Sequence, residues 1–261
     1  MNERNLLRVR VNELLRRTST LLASRRDVPA TTSPGHEAEI RALYGRASSH
    51  FEAIMILIRR NHPEEAFILG RGLFVESLRL RELADADTTH RIALIAGWTQ
   101  DSLKGLENIK LDIERRRTGP AGPGFIARLR ALRKQSNSYA KRHGVDRARD
   151  FTEVKDMAAK QGRQDEFGDY AFSHDVVPGG FASHFGRYRQ WKEGEDPLLE
   201  LSITTPDPRA TTAMTAFAVK SAVLAHKAAA EVFGWADDTE EELLLKQAER
   251  LGREAEHPGR L

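Results

Sequence analysis

The stretch Pro63 to Asp85, PEEAFILGRGLFVESLRLRELAD, constrains the fold more than any other part of the chain. Pro63 suits a first helical position, where its missing N–H costs nothing. Glu64 and Glu65 follow in the first turn, where the helix dipole favours negative charge. At about 100° per residue, Ala66, Leu69, Gly70, Leu73, Ser77 and Leu80 share one stripe, and Phe67, Phe74, Val75 and Leu78 a second. A helix with two apolar stripes belongs inside a bundle, touched from two sides. Gly70 and Ser77 leave room for a neighbouring backbone. Arg71 falls in the second stripe and Glu76 beside the first. Charges so placed are costly unless paired and hydrogen-bonded. They point roughly 140° apart on an ideal helix, so each is expected to need its own partner. Both are candidate functional residues; the plainer reading is that each forms a structural ion pair or snorkels to the edge.

The other segments also read as helices. Residues 3–26 place Leu7, Val11, Leu14, Leu15, Leu21 and Leu22 at helical spacing. Turn formers in DVPATTSPGH then suggest a linker. The chain is therefore expected to hold an amphipathic N-terminal helix (1–27), a linker (28–36) and a helical bundle domain (37–257), with the first helix loosely attached. Within the bundle, residues 37–60 carry a stripe from Ile40 to Ile58, with His50 beside it as a structural histidine. Residues 88–117 form a long helix capped by Asp87 or Thr88, and residues 125–142 form another. A short helix is expected to begin near Asp150, with Glu153 placed for a capping-box-like arrangement. LLELSIT (198–204) reads as a strand or an extended connection. Asp207 and Pro208 open an alanine-rich helix, and Thr239 with Glu242 opens the last one. The expected fold class is all-α: a multi-helix bundle around a central, two-faced buried helix.

Charge and cysteine content narrow the function classes. The formal net charge is +3 over 261 residues, too small to argue for nucleic acid by itself. The first 26 residues, however, hold seven arginines against Glu3 and Glu13. That face would suit RNA, DNA or an acidic partner, or simply solvent. A homo-oligomer or protein partner through the N-terminal helix is the other partner expectation. With no cysteine, disulfides and thiolate metal sites are excluded. The N-terminus is charged and lacks the apolar core of a signal peptide. The longest clean apolar run, Ala53 to Ile58, is too short to span a bilayer. A cytoplasmic location and no membrane partner are expected.

Polar and aromatic groups concentrate in residues 163–191, RQDEFGDYAFSHDVVPGGFASHFGRYRQW. Phe167, Tyr170 and His174 can share a helix face, and Pro178–Gly179–Gly180 forces a turn before His184, Tyr188 and Trp191. Loops on a rigid scaffold often carry function. The segment is the expected source of a partner for Arg71 or Glu76. The chain contains no phosphate-binding loop, GxGxxG, GxSxG or HExxH pattern. The spacing of His174 and His184 from Glu166, Asp169 and Asp175 matches no metal-ligand pattern. No metal or cofactor is expected.

The central helix resembles the signature helix of a family of bacterial helical proteins known as a domain of unknown function. The pattern is an apolar run, arginine, small-apolar-apolar, glutamate and a further hydrophobic stretch, carried by Arg71, Leu73, Phe74 and Glu76. YAFSHDVVPGG resembles that family's later segment through Tyr170, Ser173 and His174, with His184 as the rival for the histidine position. The resemblance spans roughly residues 37–190 and implies an all-helical fold without an established activity. Helical HEPN ribonucleases offer a second comparison. Their arginine and histidine, separated by four to six residues, act on RNA without a metal. Only Arg250 and His257 have that spacing, in a charged tail, so a HEPN-like mechanism would use Arg71 with His174 or His184. The first functional expectation is a cytoplasmic binding or regulatory protein linked to stress or phage defence. The alternative is a metal-independent, HEPN-like ribonuclease, with Arg71 binding phosphate, Glu76 orienting a partner, and Tyr170, Ser173, His174 and His184 supplying the rest of the site.

Overall fold

The computed structural model describes residues 3–26, 35–116, 122–144, 153–168, 208–235 and 239–256. Regular structure among them is entirely helical. In chain order the helices are α1 (Glu3–Arg26), α2 (Gly35–Arg59), α3 (Pro63–Asp85), α4 (Thr88–Arg116), α5 (Pro123–Arg142), α6 (Val154–Lys160), α7 (Pro208–Phe233) and α8 (Thr239–Glu256). A further helical stretch covers residues 164–168. The extended segment expected at 198–204 lies outside the described residues. No described helix is long and apolar enough to cross a membrane.

The central helix is α3, held between α2 and α7. Ala66, Leu73 and Leu80 of its first stripe and Phe74 and Leu78 of its second are fully buried. Gly70 admits α7 closely: a Cβ there would lie 2.6 Å from Met214 Cε and 3.2 Å from Phe217 Cε1. The alanines of α7 serve the same approach, with Ala218, Ala222, Ala225, Ala228 and Ala229 all buried. Phe217 then meets Phe74 with ring centroids 5.5 Å apart.

Local chemistry sets the helix ends. Asn61 takes φ +60°, a left-handed conformation that asparagine tolerates, and ends α2 just before Pro63 opens α3. Asp87 caps α4 by accepting the backbone N–H of His90 at 2.8 Å. Arg91 reaches back to donate to the Leu83 and Ala84 carbonyls at the end of α3, satisfying orphan acceptors there. Glu153 departs from the capping-box expectation. It stands at the N-cap of α6 but makes no side-chain cap bond.

The first helix also departs from expectation. Far from hanging loosely, α1 packs on α7, α2 and α8, and Val11, Leu14, Leu15, Leu21 and Leu22 are buried. Its leucine stripe seats on the bundle itself rather than waiting for a partner. Arg17 donates to Glu240 at 2.6 and 2.7 Å, and Arg10 pairs with Glu254 at 2.9 Å. Part of the N-terminal basic face is thus neutralised within the chain. A buried polar network adds to this docking. Tyr44 Oη lies 2.8 Å from His226 Nδ1 and 3.2 Å from the Leu22 carbonyl that it can donate to. His226 Nε2 faces Glu241 at 3.5 Å. Four helices, α1, α2, α7 and α8, therefore share one polar cluster, in which burial pushes the Tyr44 phenol upward.

Candidate functional site

The two charges of α3 bracket one face. On an ideal helix Ile68, Gly72, Val75 and Arg79 fall in the arc between Arg71 and Glu76. These residues, with Arg46 of α2, line an open cleft of about 310 Å³. The angle between Arg71 and Glu76 is thus the width of this cleft. The second stripe is covered on one side only: Phe74 and Leu78 are fully buried, whereas Arg71 and Val75 of the same stripe border the uncovered arc. Arg71 is half-buried at the edge of the cleft, whereas Glu76 is only 5% exposed.

Among the described residues, Glu76 finds its partners on α2. Its Oε2 lies 2.9 Å from His50 Nδ1, and its Oε1 lies 3.6 Å from Arg46 Nε. Arg46 and His50 are four residues apart, so both project from one face of α2 toward α3. Gly72 makes the fit possible. A Cβ on it would lie 2.8 Å from His50 Cε1 and 3.0 Å from Nδ1. The hydrogen bond to Glu76 raises the pKa of His50 above its ordinary 6.5, outweighing a smaller downward push from burial. The carboxylate favours Nδ1 as the protonated nitrogen, which leaves Nε2 for exchange with solvent or a ligand.

The remaining arginines surround this dyad. Arg79 lies at the same cleft, with its guanidinium 5.0 Å from the centroid of the Trp98 ring. Three arginines and one carboxylate therefore line the cleft, and the carboxylate is turned toward His50. Such a lining favours an anion with several oxygens, because guanidinium forks match phosphate and carboxylate geometry.

The described beginning of the 163–191 segment does reach α3, but elsewhere. Arg163, 6% exposed, donates to Ser77 Oγ at 2.7 Å and Ser221 Oγ at 3.2 Å. Its guanidinium also stacks over Phe74 at 4.7 Å. It pairs with Glu166, whose other oxygen takes Lys220 Nζ at 2.8 Å. Burial pushes Glu166 upward, but Arg163 and Lys220 outweigh it and hold the carboxyl below the usual range. This is a buried brace between α3, α7 and residues 163–168, and it occupies Glu166. Tyr170, Ser173, His174 and His184 lie outside the described residues.

The sequence reading brought Arg71 and Glu76 forward and missed Arg46, His50, Gly72 and Arg79. One signal was available for the first pair: an arginine and a histidine at i and i+4 on α2. A family model described as a family of unknown function matches residues 38–183. That span contains Arg46, His50 and the whole of α3. Nothing matches among curated proteins, and nothing among solved structures.

Proposed function

The chain belongs to the family of unknown function DUF5677, and from its α2–α3 cleft we propose a binding or regulatory protein that takes a phosphate-bearing ligand there. The observation that carries this reading is the convergence of Arg46, Arg71 and Arg79 on one open cleft beside the His50–Glu76 pair. The chain's lack of cysteine suits a bacterial cytoplasm, where we place it in a stress or phage-defence response. The binding test uses inorganic phosphate and adenosine monophosphate as probes, followed by the His50 ring signals in NMR titrations. Saturable shifts that vanish in Arg71→Ala and weaken in Arg46→Ala are expected. No saturable shift with either probe, or equal shifts in both variants, removes the reading. Deleting the gene in its host and measuring phage plating and stress survival tests the biological setting separately.

One observation favours a second reading, a metal-independent, HEPN-like ribonuclease. A carboxylate-oriented histidine stands against Gly72 and Glu76, two residues of the arginine-lined cleft, an arrangement that suits acid–base chemistry on a phosphodiester. In this version His50 takes the part first assigned to His174 or His184. Arg46 and His50 have three residues between them, one fewer than the HEPN spacing. General acid–base catalysis contributes about 10²- to 10⁴-fold. Cleavage of labelled RNA in the presence of EDTA should therefore fall by that order in His50→Gln. Cleavage unaffected by that substitution, or no cleavage at all, excludes this reading while leaving ligand binding to its own assay.

A further inference from the structure

Helix α5 carries Arg128, Arg130, Arg133, Lys134, Lys141 and Arg142 and no acidic residue. With these six set aside, the rest of the chain has 35 Lys and Arg against 38 Asp and Glu. This helix alone carries six positive charges, twice the net charge of the chain. All six side chains are exposed. Arg133 is paired with Glu107 of α4; the other five have no ion pair among the described residues. The apolar side of α5 is already used, because Phe125, Leu129, Leu132 and Tyr139 lie on the face opposite Arg130, Lys134 and Lys141, and α5 packs along α4.

Arg130, Lys134, Asn137 and Lys141 follow one another at intervals of four, three and four. They form a straight polar stripe about 16 Å long. Beside it, between α4 and α5, runs a groove of about 350 Å³. Its rim carries Lys110, Arg130 and Arg133 together with Glu107, which pairs with Arg133, and its floor is Leu111, Ile126 and Leu129. We propose that the α4–α5 pair binds single-stranded nucleic acid, with the α5 stripe on the phosphate backbone and the groove receiving an unstacked base. Cations spaced along a helix neutralise successive phosphates without reading sequence, and an apolar floor under a basic rim suits a base released from stacking. An anionic membrane fits less well: the cationic face presents no apolar anchor, and polybasic attraction alone gives weak attachment. This inference does not depend on the α2–α3 cleft.

The test is fluorescence anisotropy of the full-length protein with a fluorescein-labelled oligouridylate of about 20 nucleotides, enough to span the stripe, between roughly 50 and 200 mM salt. The three cations of the stripe give a slope of about −2 in log K against log salt, a loss of about 20-fold across that range. Combining Arg130→Glu, Lys134→Glu and Lys141→Glu should weaken binding more than about tenfold and flatten the slope by about 2. Helical content should be unchanged, since all three positions are exposed. The single variant Lys134→Ala, which disturbs the fold least, should flatten the slope by about 0.7. Wild-type affinity and slope in both variants would overturn the proposal. So would salt-independent binding, absence of binding, or a preference for phosphatidylserine vesicles over the oligonucleotide. A triple variant that loses RNA but still binds phosphate at the α2–α3 cleft would separate the two surfaces.

Discussion

His50 Nδ1 and Glu76 Oε2 stand 2.9 Å apart across the α2–α3 interface, joining a side chain about one-third exposed to one that is nearly buried. The pair ties α2 to α3 beside the cleft, and the carboxylate favours a proton on the Nδ1 it faces. Its titration gives the first check. The pKa of His50 is raised by Glu76, so the interaction stabilises the fold fully below the ordinary 6.5. That contribution is lost as pH rises through the folded-state value. An NMR titration should find His50 above 6.5, and Glu76→Gln should bring it down. Stability at pH 6 should fall by about 1 kcal/mol, kept small by the exposure of His50. An unshifted His50 in the wild-type protein would contradict the geometry.

Gly72 offers a second check with an opposing expectation built in. Glycine inside a helix is ordinarily up to about 1 kcal/mol worse than alanine, so Gly72→Ala should stabilise α3 if nothing stood near. His50 does stand near. The substitution should push the ring aside, lower its pKa and cancel the helix-propensity gain. Gly45→Ala on α2 is the control, since a Cβ there meets nothing within 4 Å; it should stabilise by about 0.5–1 kcal/mol. A higher melting temperature for Gly72→Ala with His50 titrating as before would show that the close approach is not real.

The sequence disclosed packing better than pairing. Two apolar stripes on α3, small residues at Gly70 and Ser77, and the alanine-rich α7 each state a local requirement, and helical periodicity converts it directly into burial. Arg71 and Glu76 were recognisable as anomalies on the same grounds. Their surroundings were not, because an angle on one helix does not say which neighbours cover it. His50 illustrates the limit. Beside an apolar stripe it looked structural, and only the register of α2 against α3 brings it over Gly72 to Glu76. Leu14, Leu15 and Leu22 show the converse. A leucine stripe flanked by arginines reads equally well as a free amphipathic helix, until Glu240 and Glu254 of α8 are found opposite Arg17 and Arg10.

Arg163 supports a third prediction. It is buried with Glu166 and donates to two hydroxyls, so removing it leaves polar groups stranded in the interior. Arg163→Met should lose about 3–5 kcal/mol in denaturant unfolding. The acid limb should change as well. Glu166 titrates below its ordinary 4.5, so the brace stabilises above that value and weakens as pH falls through the folded one. The variant should lose part of its acid sensitivity below the ordinary 4.5, and a wild-type profile there would mean that Glu166 owes its depressed pKa to Lys220 alone.

Removal of α1 is the last check, and it separates docking from recruitment. Val11, Leu14, Leu15, Leu21 and Leu22 are buried against the bundle, at about 1.5–3 kcal/mol for each fully buried side chain. Their combined loss approaches the whole stability of an ordinary domain, about 5–15 kcal/mol. Deleting residues 1–26 also takes away the Leu22 carbonyl beside Tyr44 and uncovers the α7 face. The truncated chain should therefore aggregate or melt far below the full chain in circular dichroism, whatever partners it has. A partner or second copy on α1 must use its outer face, where Leu6 and Val9 are exposed. Leu6→Ser with Val9→Ser should leave melting within a few degrees, as exposed substitutions usually do. The same variant shifts the elution volume in size-exclusion chromatography if that face holds a second copy. A truncated chain that stays folded and keeps its melting temperature would instead show that α1 is an appendage after all.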